Sequence, residues 1–387
     1  MAGVPPGRPR ILAGPFRQTE TAGYGIPLAL ASVSLILDIV KPEKRTHRGG
    51  RGRTAALAAG VAAVTALGAL AAAGPVTVPP STRYHLVSDQ GVSSAVASQS
   101  GITGGALFGG TFSLVNEESN LGRKLAVVRI YLFIGDNFPG SKYAGALAAG
   151  STALVSLDSA KFSYASIAAG EHDAAIEKFL TQVNQAAIAY NLPAIYFTFQ
   201  HEPDSDHHRF LGTPAQFVQA WDHVHALAQS MHLDWNDGGR VHWVFILIHN
   251  TYSNGRVALF WPGASEVDLV AADGYNSGGC RAASAGGKVV EATPSGLFNP
   301  LLNFAANHGH IPVFIAEWGS DTIPAGAQPT FIQQMQAYVT AHPTIVAASY
   351  WNLKQATCDY QINSNPASVS ALATMGQSAA MQGHITG

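Results

Sequence analysis

The stretch "AIYFTFQHEP", Ala194 to Pro203, is a run of apolar, aromatic and β-branched residues that ends on a histidine, a glutamate and a proline. Alternation puts Tyr196, Thr198, Gln200 and Glu202 on one side and Ile195, Phe197 and Phe199 on the other, the pattern of a strand with two unlike faces. Pro203 lacks a backbone donor and biases Glu202 toward an extended conformation, so His201 and Glu202 are expected at a strand end and not inside a helix. A zinc peptidase helix would need a second histidine where Ser205 stands. No metal or other cofactor is expected, and Asp204, Asp206, His207 and His208 read as a solvated loop.

The same kind of run recurs on both sides of this one. Strands are predicted over 105–110, 125–135, 153–159, 194–202, 241–250, 267–276, 313–320 and 345–353. Amphipathic helices are predicted between several of them, over 171–191, 214–232, 295–309 and 330–343. Parallel strands need crossover connections, and eight strands alternating with helices over a chain of this size point to an α/β fold, a (β/α)8 TIM barrel. An open doubly wound sheet is the alternative, weakened because no glycine-rich phosphate loop follows the first strand.

Composition narrows the partners. The 387 residues are 47% apolar and 12% charged with a net charge of −2, which suits one large globular core and a neutral polymer or small molecule, not nucleic acid. The N-terminal part differs: residues 1–40 are an extension upstream of a basic stretch and Ala-rich run at 41–74, read as a signal peptide with a membrane anchor as the alternative. Residues 75–104 are then a lead-in to a catalytic domain over 105–387, in a secreted, monomeric protein with no stable membrane association after cleavage of the signal. Two cysteines in such a protein, Cys280 and Cys358, are expected to form a disulfide.

In a barrel the C-terminal strand ends face the active site. That rule collects Gln200, His201 and Glu202, then His249 and Asn250, then Asp273, Tyr275 and Asn276, then Glu317 and Trp318, and finally Tyr350, Trp351 and Asn352. Parity is uninformative for Glu317, which alternates in step with Val313 and Ile315. Two glutamates across a barrel mouth with aromatics around them suit glycosidic bond hydrolysis, where one carboxyl must be protonated and the other ionised.

Three stretches, "FQHEP", "FWPGASEVDLVAADGYN" and "IPVFIAEWGS", occur in the order seen in glycoside hydrolase family 26 and together resemble that family, whose best-known members are secreted endo-β-mannanases. The resemblance implies that Glu202 is the acid/base and Glu317 the nucleophile of a retaining hydrolase. It implies that His201 lines the cleavage subsite, that Tyr275 orients the nucleophile, and that Trp351 is a stacking floor for a sugar ring. His249 and Trp318 are further expected substrate contacts, Trp318 with parity opposite to that of Glu317. The stretch "YFTFQHEPD" lacks the arginine that many mannanases of the family carry before the His-Glu pair, so β-1,3/1,4-glucan and xylan stay open beside β-1,4-mannan, as does a non-catalytic carbohydrate-binding barrel. Cys280 and Cys358 would both lie in loops on the catalytic face, where a bridge would stiffen the surroundings of Glu317.

Overall fold

The computed structural model describes residues 99–386, except Ala356. The expectations for residues 1–40 and 41–74, and for 75–98 of the lead-in, fall outside the described residues. Eight parallel strands form the fold: β1 (Ile102–Thr111), β2 (Val127–Phe133), β3 (Thr152–Asp158), β4 (Ile195–Phe199), β5 (Val241–Ile248), β6 (Leu269–Asn276), β7 (Val313–Ser320) and β8 (Ile345–Tyr350). Each pairs with the next in sequence, β8 pairs with β1 and β1 with β2, which closes the sheet into a (β/α)8 barrel. A ninth strand, β9 (Gln382–Ile385), was not predicted; it pairs antiparallel with the N-terminal half of β1, Ile102 opposite Ile385. β1 itself begins three residues earlier than expected.

The longer helices are α1 (Gly140–Ala148), α2 (Asp173–Ala189), α3 (Pro214–Ser230), α4 (Pro294–Asn307), α5 (Ala327–Ala341) and α6 (Pro366–Gln377). α3 illustrates how the sequence places them. Thr213 accepts from the Gln216 backbone N–H while the Gln216 side chain accepts from that of Thr213, and Pro214 opens the first turn without leaving a donor unpaired. Phe217, Ala220, Trp221, Val224 and Ala228 recur at helical spacing and are all buried against the strands.

Two apolar layers result. Outward-facing strand residues such as Ile195, Phe197 and Phe199 join the helices in one large cluster. Inward-facing Leu107, Val127, Leu154, Tyr196, Val244 and Phe314 fill the barrel's lower half, each full burial stabilising by roughly 1.5–3 kcal/mol. The plug leaves only the upper end of the barrel for polar chemistry.

β7 breaks its own alternation. Ala272 of β6 pairs with Ile315 but Asp273 pairs with Glu317, and on the other side Ala348 pairs with Ile315 but Tyr350 with Trp318. The strand therefore carries one extra residue, a β-bulge at Ala316 and Glu317. Ala316 belongs to the inner cluster, and the bulge turns Glu317 inward as well, toward the hydroxyls of Tyr131 and Tyr275.

Candidate active site

Side chains from β2, β3, β4, β6, β7 and β8 meet at the C-terminal end of the barrel. Glu317 lies at the centre, 4% exposed. Tyr131 Oη donates to its Oε1 at 2.6 Å and Tyr275 Oη donates to Oε2. Arg129 Nη2 stands 3.4 Å from Oε1, and its guanidinium lies over the Tyr131 ring, 4.3 Å from the centroid. Burial opposes the Arg129 charge, but Tyr131 and the carboxyl groups of Glu317, Asp273 and Asp158 outweigh it and hold its pKa above the ordinary guanidinium value. Burial and the Glu317 charge push both tyrosines well above the ordinary phenol, so their hydroxyls stay donors. Every partner of Glu317 is thus a donor or a cation, and its two oxygens work as acceptors.

Glu202 is held differently. β4 ends at Phe199, and the chain then enters the left-handed region at Gln200 (φ +54°) and again at Glu202 (φ +48°). This corrects the expectation of an extended Glu202: the turn, not strand alternation, aims the carboxyl. Each such conformation costs on the order of 1–3 kcal/mol and needs a surrounding that enforces it. Here the Gln200 side chain accepts from the Ser159 N–H and hydroxyl, the Glu202 N–H donates to the Ile246 carbonyl, and His208 Nδ1 lies 2.8 Å from the Glu202 carbonyl. Asp204, expected in a solvated loop, is instead 6% exposed and accepts from the Ile248 N–H at 3.1 Å and Thr251 Oγ1 at 2.5 Å, tying the loop to the end of β5.

Burial raises the Glu202 carboxyl to about 7, the His201 charge opposing and the Glu317 and Asp204 charges adding to the shift. Glu202, just beyond β4, and Glu317, in β7, both lie at the C-terminal end of the barrel, where the Glu317 charge acts on the Glu202 carboxyl. His201 Nδ1 is 3.1 Å from Asp158 Oδ1; burial disfavours the imidazolium, but Asp158 outweighs it and raises the pKa above the ordinary imidazole value. Beneath them, Asp273 is 1% exposed with both oxygens unpartnered, and burial, then the charges of Glu317 and Glu202, push it well above the carboxylate range. Burial without a partner thus favours the protonated form of this carboxyl.

The aromatics follow. Trp351, just beyond β8, packs edge-on against Tyr131 at 5.6 Å and Tyr275 at 6.3 Å. Cys280 and Cys358 form a disulfide, and Tyr275 and Trp351 pack against its cluster from the barrel side. Asp321 brings a third donor atom near the two sulfurs, but a disulfide leaves no thiolates for a metal ion. His249 does not end a strand; it begins the short helix His249–Ser253 and borders a separate cavity beside Tyr275. Trp318 is a correction: fully buried, it packs outward against Phe331 of α5 and edge-on to Tyr350, so it offers no face to a substrate.

Sequence reasoning missed Arg129, Tyr131 and Asp158. A charged residue inside the apolar run "LAVVRIYLFIG" of a charge-poor chain was the available signal, because arginine is almost never buried unpaired.

No protein family's profile matches this chain, and no curated protein matches it. Solved structures do. The fold is similar to that of an endo-β-1,4-mannanase double mutant from Cellulomonas fimi, at 17% identity over 75% of this chain and 74% of that one with a TM-score of 0.54. It is similar to a GH26 β-mannanase from Bacteroides ovatus, at 13% identity over 75% and 92% of the two chains with a TM-score of 0.53. A third is GH26C from Muricauda sp., at 13% identity over 75% and 89% with a TM-score of 0.54. The class is therefore a (β/α)8 barrel, and the barrel is of the kind that GH26 enzymes have.

Proposed function

We propose that this protein is a glycoside hydrolase that cleaves a β-linked polysaccharide with retention of configuration, and that β-1,4-mannan cut internally is its substrate. The observation that carries the reading is the unlike treatment of two carboxyls at one end of the barrel. Glu202 is raised to about 7, which lets it hold a proton at neutral pH, while Glu317 accepts from two tyrosines beside Arg129. In the proposed reaction a Glu317 oxygen bonds to the anomeric carbon as the glycosidic C–O bond breaks, and Glu202 gives its proton to the departing oxygen. Glu202 then takes a proton from the water that attacks the anomeric carbon, and the Glu317 ester is released. Tyr131, Tyr275 and Arg129 hold the nucleophile in place, Asp158 orients His201, and Trp351 stacks on a sugar ring.

The β-mannanases among the similar structures support the substrate, and the Cys280–Cys358 disulfide supports action outside the cell, consistent with a signal at 41–74. The test is release of reducing sugar from mannan, glucomannan, mixed-linkage glucan and xylan by the purified protein and by Glu202→Ala and Glu317→Ala. Hydrolysis of mannan, lost in both variants, is the expected result. Release from glucan or xylan alone moves the substrate, and activity that survives both substitutions removes the mechanism.

A further inference from the structure

A cavity of about 330 Å³ opens beside Tyr275, the residue whose hydroxyl donates to Glu317. Its walls include His249, Ser277, Arg281, Lys288 and Leu297, and no carboxylate lines it. Its size falls at the lower end for ligand pockets and is suited to one substituted sugar.

Its cations have no internal use. Arg281 and Lys288 are exposed, and among the described residues neither side chain enters an ion pair or a hydrogen bond. Arg281 nonetheless lines the cavity with His249 and Tyr275, and its charge, after burial, helps lower the His249 pKa. His249 is therefore a neutral ring at pH 7, able to exchange a hydrogen bond with a hydroxyl.

Arg281 stands on an anchored platform. The helix Gly278–Ala285 carries it one residue after Cys280, which is bridged to Cys358 and whose N–H donates to Asp321 Oδ2 at 2.7 Å. A Cβ at Gly278 would meet the Val290 carbonyl oxygen at 2.0 Å, and one at Gly279 the Ile323 carbonyl oxygen at 1.8 Å, so this helix packs backbone to backbone on its neighbours. An anchored helix that presents Arg281, with Lys288 in the loop that follows it, leaves two unpaired cations on a cavity beside the proposed cleavage site, and this fits an anion that arrives with the substrate.

We infer that this cavity is a specificity subsite for an anionic substituent on the polysaccharide, a uronic acid carboxylate or a sulfate ester. That the anion comes on a glycan rests on the proposed function; that an anion binds here rests on the cavity. Calorimetry on the full chain carrying Glu202→Ala, so that nothing is cleaved, separates the two when free glucuronate and inorganic sulfate are titrated beside the glycans. Binding of the free anion that is lost in Arg281→Ala/Lys288→Ala supports the anion site even if no glycan binds, and no binding of any anionic probe overturns it. The glycan probes are unsubstituted xylotetraose and mannotetraose, glucuronic acid-substituted xylotetraose and sulfated mannotetraose. At low salt the acidic form of at least one backbone binds roughly tenfold more tightly than its neutral parent, a margin in the range of one or two charge-assisted contacts. The margin disappears in Arg281→Ala/Lys288→Ala and shrinks in 0.5 M salt, on the order of a threefold shorter screening length, with the neutral parent unchanged. Preference for the carboxylate or the sulfate form names the source. Equal binding of acidic and neutral forms on every backbone, or equal weakening of both in the double variant, overturns the subsite. Because binding and not turnover is read, the absence of hydrolysis would count against the proposed activity alone.

Discussion

Glu202 and Glu317 share a residue type, and their surroundings separate them. Glu317 has two phenolic donors and an arginine, whereas Glu202 sits on a strained turn beside the negative charges of Glu317 and Asp204. If Glu202 is the acid, kcat/KM must fall as pH rises through about 7, because the deprotonated form cannot release the leaving sugar. A pH profile of the wild-type protein on its polymer measures this. A flat profile from pH 6 to 9 would contradict the assignment. At this scale the sequence showed Glu202, Glu317, Tyr275 and Trp351, because polar and aromatic residues at strand ends stand out against apolar runs. It hid Arg129 and Asp158, because their importance comes from partners distant in the chain: Arg129 from β7 and Asp158 from the loop after β4.

At the scale of elements, strands and the longer helices were legible from periodicity, while two local irregularities were not. The bulge in β7 reverses the alternation just before Glu317, and β4 stops three residues short of Glu202, so both carboxyls are aimed by departures from regular structure. β9 escaped because "QGHI" has neither the length nor the β-branched content of a strand signal. The disulfide joins the helix after β6 to the loop after β8, at a sequence separation of 78. Closing a loop of that size stabilises by about 4 kcal/mol on the loop-entropy argument, so Cys280→Ser/Cys358→Ser should lower Tm by roughly 10 °C. Thermal unfolding followed by circular dichroism checks it, and an unchanged Tm would mean that the bridge constrains nothing.

For the molecule as a whole, the site sets the pH dependence of stability. Glu202 is raised to about 7 and Asp204 to about 6, each mainly by burial, and Asp273 is raised well above its ordinary value for the same reason. Such groups bind protons in the folded chain that the unfolded chain has lost, so their contribution is full below about 4 and declines as pH rises toward 7. His201, raised by Asp158 against the effect of burial, acts in the same direction and is lost as pH rises through its folded value. Asp158, lowered by His201 although burial opposes it, acts the other way, and its contribution is lost in acid. Tm should therefore be higher at pH 5 than at pH 8, and Asp273→Asn, which mimics the neutral acid, should narrow the difference. A Tm that rises from pH 5 to pH 8 would show that these carboxyls are not held protonated.

The most direct test of the central claim is the anomeric configuration of the first product. Proton NMR during early hydrolysis, before mutarotation, resolves the new reducing end. A double displacement through Glu317 requires the β-anomer from a β-linked chain. The α-anomer would mean single displacement by water and would contradict the assignment of Glu317 as the nucleophile.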